Sequence, residues 1–238
     1  MTFTRAAAGM LLATGAAVAW ADGQAEPVRP VVVQAAPAPP TEVHHYRWEL
    51  TKLAGVFGGL FLPSSGEGTL SVSPEPDGKH VRSELLVTAT DSRDGEFWRY
   101  GAVLDPVLGK TIRAWSSYRY RDKNKVKKEE LDREGVFDIA SAIYRLRRDR
   151  PTTPLRLLVW SDGKTYPVIV TPGAVERWTL PSGAHVNARR YLVRGIATAG
   201  KEPWRGSFDL WLADDAVATP VRIEIGRSYA GVRLDLVR

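Results

Sequence analysis

Cysteine is absent from the 238 residues, which excludes disulfides, Cys-ligated zinc, iron–sulfur clusters and thiol nucleophiles together and leaves stability to packing. Histidine is scarce: only His44, His45, His80 and His185 occur. Neighbours on a strand point to opposite faces, so His44 and His45 cannot both enter one strand-borne site, and no further ligands appear at a recognisable spacing. No metal site is therefore expected. Ser64-Ser65 lacks the Gly-x-Ser-x-Gly elbow of a serine hydrolase and reads as a flexible loop, and Gly55, Gly58 and Gly59 are not followed by Gly-Lys-Ser/Thr, so they form no phosphate loop. No catalytic residue and no cofactor is expected. A repeat period of about 20 to 50 residues is also missing, which argues against solenoids and propellers.

What is present is an ordinary globular composition, 44% hydrophobic and 25% charged, with a formal charge of +6. Residues 1–21 read as a cleavable signal peptide: Arg5 in a short n-region, an apolar stretch over 6–18, then Ala19-Trp20-Ala21 as a small-x-small cleavage site. The apolar stretch is well short of the roughly 20 residues that span a bilayer. No lipidation cysteine follows, so the mature chain is expected free in the periplasm, with no transmembrane segment. Cleavage removes only Arg5 from the charge balance. The mature chain stays basic and suits anionic partners such as lipid phosphates or acidic glycans; its compartment argues against nucleic acid. Residues 22–41, with Pro27, Pro30, Pro37, Pro39 and Pro40, read as a disordered linker, and residues 42–238 as a single β-rich domain.

Within that domain the dominant period is two. Val221, Ile223 and Ile225 alternate with Arg222 and Glu224, and Val81, Ser83, Leu85, Val87 and Ala89 alternate with Arg82, Glu84 and Thr88. Turn signals separate the strands at Pro76-Asp77-Gly78, Asp94-Gly95, Asp162-Gly163, Pro172-Gly173, Pro181-Ser182-Gly183 and Asp214-Asp215. One segment has helical spacing: Val136, Ile139, Ile143 and Leu146 form a stripe, Asp138 caps it and Pro151 ends it. The charged run 121–130 reads as a solvated connector into that helix. The fold class expected is all-β with one helix: a curved antiparallel sheet or half barrel with the helix packed against it.

Three stretches carry a family resemblance. The helix Val136-Phe137-Asp138-Ile139-Ala140-Ser141-Ala142-Ile143-Tyr144-Arg145-Leu146-Arg147, the turn Asp162-Gly163-Lys164-Thr165-Tyr166, and Leu210-Trp211-Leu212-Ala213-Asp214-Asp215 closing on Pro220-Val221-Arg222-Ile223 resemble the bacterial domain-of-unknown-function family 3108 from about Gly135 to the C-terminus. The resemblance implies an exported β-rich protein without an established activity. Members look somewhat like the curved-sheet carriers that handle lipoproteins, an analogy of fold only.

Tryptophan placement is the least ordinary feature. If Phe208, Leu210 and Leu212 face the core, Trp211 lies on the opposite face; the same alternation puts Trp115 beside Arg113 and Arg119, and Trp160 beside Arg156. Rings interleaved with guanidinium groups suit an anionic amphiphile, which makes these six residues the candidate ligand site. The alternative is a second core in which the helix covers that face. Three functions follow: a non-catalytic binder or carrier of an amphipathic anionic lipid or glycolipid, an envelope protein that docks on another envelope protein, and, least supported, a hydrolase.

Overall fold

Alternation of inward apolar and outward polar side chains runs through most of the thirteen strands of a computed structural model that describes residues 40–53, 63–90, 95–198, 202–226 and 230–237. The signal peptide expected at 1–21 and nearly all of the linker expected at 22–41 lie outside the described residues. In chain order the strands are β1 (Glu42–Leu53), β2 (Ser65–Pro74), β3 (Val81–Ala89), β4 (Phe97–Asp105), β5 (Lys110–Tyr120), β6 (Lys123–Glu134) and β7 (Val136–Phe137). After the helix α1 (Ile139–Asp149) come β8 (Leu155–Ser161), β9 (Lys164–Thr179), β10 (His185–Gly195), β11 (Ser207–Ala213), β12 (Pro220–Gly226) and β13 (Ala230–Leu236).

All thirteen form one sheet in the order β6-β5-β4-β3-β2-β1-β13-β12-β11-β10-β9-β8-β7. Short turns make most sequence neighbours pair antiparallel; the short β7 instead pairs parallel with β8 across the helix, and β1 joins the two halves by pairing with both β2 and β13. The terminal strands β6 and β7 stand at opposite ends of this order, yet only Gly135 separates them in sequence. The two ends must therefore meet, and the sheet rolls into a nearly closed barrel. Gly135 makes the crossing at φ 70°, a conformation costly for any residue with a Cβ. Its N–H reaches Gly109 O at 3.4 Å, Leu158 N–H donates back to its carbonyl at 3.1 Å, and the Thr111 hydroxyl donates to Val136 O.

The helix lies inside this roll. Ile139, Ala140, Ala142, Ile143 and Leu146 share one buried cluster with Tyr46, Leu70 and Leu85 from one half of the sheet and Val170, Tyr191, Phe208 and Leu210 from the other. Asp138 caps the helix by accepting from Ser141 N–H at 2.8 Å and Ala140 N–H at 3.3 Å, while Ser141 Oγ accepts the Asp138 N–H at 2.9 Å. The Ser83 hydroxyl on the inner face of β3 donates to Ala140 O at 2.9 Å. Arginine at the helix end is structural: buried Arg147 donates to Ala218 O and Val217 O, both at 3.1 Å, and to Glu42 at 2.5 Å, tying α1 to the β11–β12 turn and to the start of β1.

Four sequence expectations change. Val136 belongs to β7 and to a different cluster from the helix stripe. Pro172-Gly173 does not turn: β9 runs through it, and a bulge between Arg189 and Tyr191 of β10 accommodates the irregularity. Ser65 opens β2 rather than sitting in a loop. The run read as a connector is mostly the edge strand β6; charge there leaves pairing to β5 intact, because an edge strand has a solvent-facing side. Asp214-Asp215 does make a turn, with Asp215 Oδ1 accepting from Val217 N–H at 3.2 Å and Thr219 N–H at 3.0 Å.

Candidate ligand site

Large aromatics face the inside of the roll where it extends past the helix. On β1, Trp48 is 1% exposed, and Gly66 stands directly opposite it on β2; a Cβ at Gly66 would lie 2.4 Å from the indole Nε1. The glycine makes room for the ring, whose N–H then donates to Thr88 O at 2.7 Å. Trp98 on β4 meets Trp48 edge-on, centroids 6.4 Å apart at 85°, and lies 6.2 Å from the ring of Tyr120 on β5. These rings, with Tyr100 and Tyr118, bound a hollow of about 460 Å³, within the range of small-molecule sites. Aliphatic side chains of β1, β3, β12 and β13 complete its apolar wall, and Ser116, Lys125 and Asp162 supply polar groups. The Ser116 hydroxyl donates to Asp162 Oδ1 at 3.0 Å. The arrangement presents a wide aromatic surface with a few polar groups near one rim, chemistry suited to holding an apolar body and orienting a polar end.

The six residues expected from sequence are not brought together, and none lines this hollow. Trp115 lies on the outer face of β5, packed on the space left by Gly101, with the Arg82 guanidinium 5.3 Å from its ring. Arg113 there faces Glu130 at 3.8 Å, and Arg119 sits over Phe97 at 5.8 Å. Trp160 is 2% exposed among Ala102, Ala114, Leu131 and Val136, and its Nε1 donates to Glu129 Oε2 of β6 at 2.6 Å. It seals the place where the outward side of β8 slides under β5 and β6. Arg156, on the same strand, is exposed.

Trp211 does lie opposite Phe208, Leu210 and Leu212, as alternation requires, but it is 5% exposed. Trp178, Leu180 and Val186 of the β9–β10 hairpin cover it, not the helix. Arginines fill the gaps. Arg222 lies 4.3 Å from the Trp178 ring centroid and 5.8 Å from that of Trp211, and Arg190 lies 4.7 Å from Trp211. Asp209 binds both Arg190 and Arg194; burial works to raise its carboxyl, but those hydrogen bonds outweigh it and hold the group below the usual aspartate range. This face is a small second core with its charges matched.

The ring residues of the hollow, Trp48, Trp98, Tyr100, Tyr118 and Tyr120, are not among the six candidates, because inward aromatic positions cannot be told from ordinary core by strand alternation alone. The available signal was the parity of Tyr46, Trp48 and Leu50, of Trp98 and Tyr100, and of Tyr118 and Tyr120, which puts five aromatics besides Tyr46 on one side of neighbouring strands.

Among the described residues no group of three or more His, Cys, Asp or Glu could hold a metal ion, and no helix is long and apolar enough to cross a membrane. The molecule is thus a barrel-like, helix-filled sheet with an aromatic hollow. A crystal structure titled as a β-barrel-like protein of the domain-of-unknown-function family DUF1849, from Brucella abortus, is similar in fold, with a TM-score of 0.52 at 7% identity over 85% of this chain and 98% of that one. The chain belongs to the DUF3108 family, proteins of unknown function, whose family model matches residues 108–237. No curated protein matches the sequence.

Proposed function

We propose that the protein is a non-catalytic carrier or binder of the bacterial periplasm that holds the apolar part of an anionic amphiphile, a lipid or glycolipid, in the aromatic hollow. The observation that carries this reading is the hollow itself: about 460 Å³ walled by Trp48, Trp98, Tyr100, Tyr118 and Tyr120. The hollow opens to solvent, and packing for stability alone gives no reason to gather five aromatic rings around an uncovered apolar space. The leader pattern of residues 1–21 supports export, and the basic balance of +6 supports an anionic ligand.

Tryptophan fluorescence provides the test, since Trp48 and Trp98 border the hollow. Titration with a single-tailed probe such as dodecyl maltoside, below its micellar concentration, should give a saturable change. Trp98→Ala should weaken binding about ten-fold, the scale of one lost aromatic contact surface, without altering the cooperativity of melting. A wild-type protein that gives no saturable change with this probe or with its anionic counterpart, dodecyl phosphate, would reject the carrier reading and favour an envelope protein that docks on another through its surface.

A further inference from the structure

The edge strand β6 distributes its lysines unevenly. In register, Lys123 stands opposite Tyr120, Lys125 opposite Tyr118 and Lys127 opposite Ser116. Directly opposed residues share a face of the sheet, and Tyr120, Tyr118 and Ser116 all line the hollow. The three lysines therefore lie on the inner side of β6. The same alternation continues inward to Glu129, which meets Trp160, and to Leu131, buried in the Trp160 cluster. Lys125 is half-buried and forms part of the wall, whereas Lys123 and Lys127 are exposed on either side of it. Successive ammonium stems start about 7 Å apart along the strand, close enough for flexible side chains to converge on one compact anion. Asp162 is the carboxylate in the lining, already accepting from Ser116, so the three lysines leave this rim positive.

Lysines on an edge strand also discourage pairing with other chains. Inward-pointing charges serve that role as well, but it does not account for their place: the cross-strand partners of the three lysines all line the hollow, while the outer positions of the same stretch are Asn124, Val126 and Lys128, with Val126 65% exposed.

We infer that Lys123, Lys125 and Lys127 form a head-group site at the rim of the hollow, so that the ligand is an amphiphile whose tail enters among the aromatics and whose anionic head, a phosphate or carboxylate, stops at β6. This rests on the carrier reading and adds to it the orientation of the ligand and the residues that hold its anionic head. The arginines of the outer face, Arg113 and Arg119, take no part.

The test compares dodecyl phosphate with dodecyl maltoside, which pairs the same tail with an uncharged head, and with inorganic phosphate, which is a head without a tail. Wild-type protein should bind dodecyl phosphate more tightly than the maltoside, and the preference should shrink with added salt. Lys123→Gln/Lys125→Gln/Lys127→Gln should lose at least about ten-fold in affinity for dodecyl phosphate, leave the maltoside within about two-fold, and flatten the salt dependence. Replacing the same three residues with arginine should keep the preference, which guards against a loss caused by misfolding, and Arg113→Gln/Arg119→Gln should behave as wild type. Inorganic phosphate at the same concentrations should not displace the alkyl phosphate. The inference is overturned if the triple glutamine variant binds both probes as wild type does, if the outer-face variant loses the preference instead, or if inorganic phosphate competes equally. Failure of wild type to bind either alkyl probe would overturn the carrier reading with it, so the two failures are distinguishable.

Discussion

Truncation of Ile143 to alanine probes whether the helix organises the roll. Ile143 is 0% exposed, with strands from both halves of the sheet around it. The substitution deletes three carbons, a transfer loss of about 2.4 kcal/mol at about 0.8 per methylene. A cavity term adds to this because a helix enclosed by sheet cannot collapse into the gap, so the total should fall at about 3 to 5 kcal/mol. Urea unfolding followed by both tryptophan fluorescence and circular dichroism would show a lower midpoint with an unchanged slope. Val126→Ala, on the exposed side of the edge strand, serves as the control and should change stability by no more than about 0.5 kcal/mol. A change below that same limit for Ile143→Ala would mean that the helix face is not buried, and the enclosed-helix account would fail.

Two further outcomes follow from buried groups. Burial pushes the Asp138 carboxyl up to about 6 against the opposing hydrogen bonds from Ser141 and Ala140. A carboxyl raised in the folded state favours folding while protonated, so wild type should lose up to about 3 kcal/mol as pH rises from about 4 through about 6. Asp138→Asn keeps a capping acceptor and should lack that loss; a difference between the two proteins that stays constant from pH 4 to 7 would refute the assignment. Trp211→Ala should cost about 3 to 5 kcal/mol in a melting experiment, as buried aromatic truncations do, while leaving the affinity for dodecyl maltoside unchanged; lost affinity with intact stability would instead restore Trp211 as a ligand contact.

Much of the fold is written in alternation. The strands around Val81 and Val221 and the cap at Asp138 are local patterns, and each is realised close to where the residues place it. What alternation does not encode is closure. Nothing in Lys123–Glu134 announces an edge strand, because a strand with one solvent-facing side tolerates the same charges as a loop. Nor does parity say which face is enclosed: Trp211 and Trp160 lie off the main core yet are buried, since a hairpin covers one and the overlap at Glu129 covers the other. The hollow arises from strands distant in sequence, β1 with β5 and β13, and only their assembly creates it.

The joint between β1 and β13 also sets an order of events. Every other antiparallel pairing links strands that follow one another, so each half of the sheet can zip up from its own hairpins, but Tyr46 waits for Leu236 and Trp48 for Leu234. A chain emerging from its N-terminus would hold the first half with the free side of β1 open until the final strand arrives. Long-range closure of this kind is slow, and an unpaired edge carrying Tyr46, Trp48 and Leu50 invites aggregation in the interval. Losing the last seven-residue strand would therefore strand the molecule at that stage, two zipped halves with no seam, rather than merely shorten it.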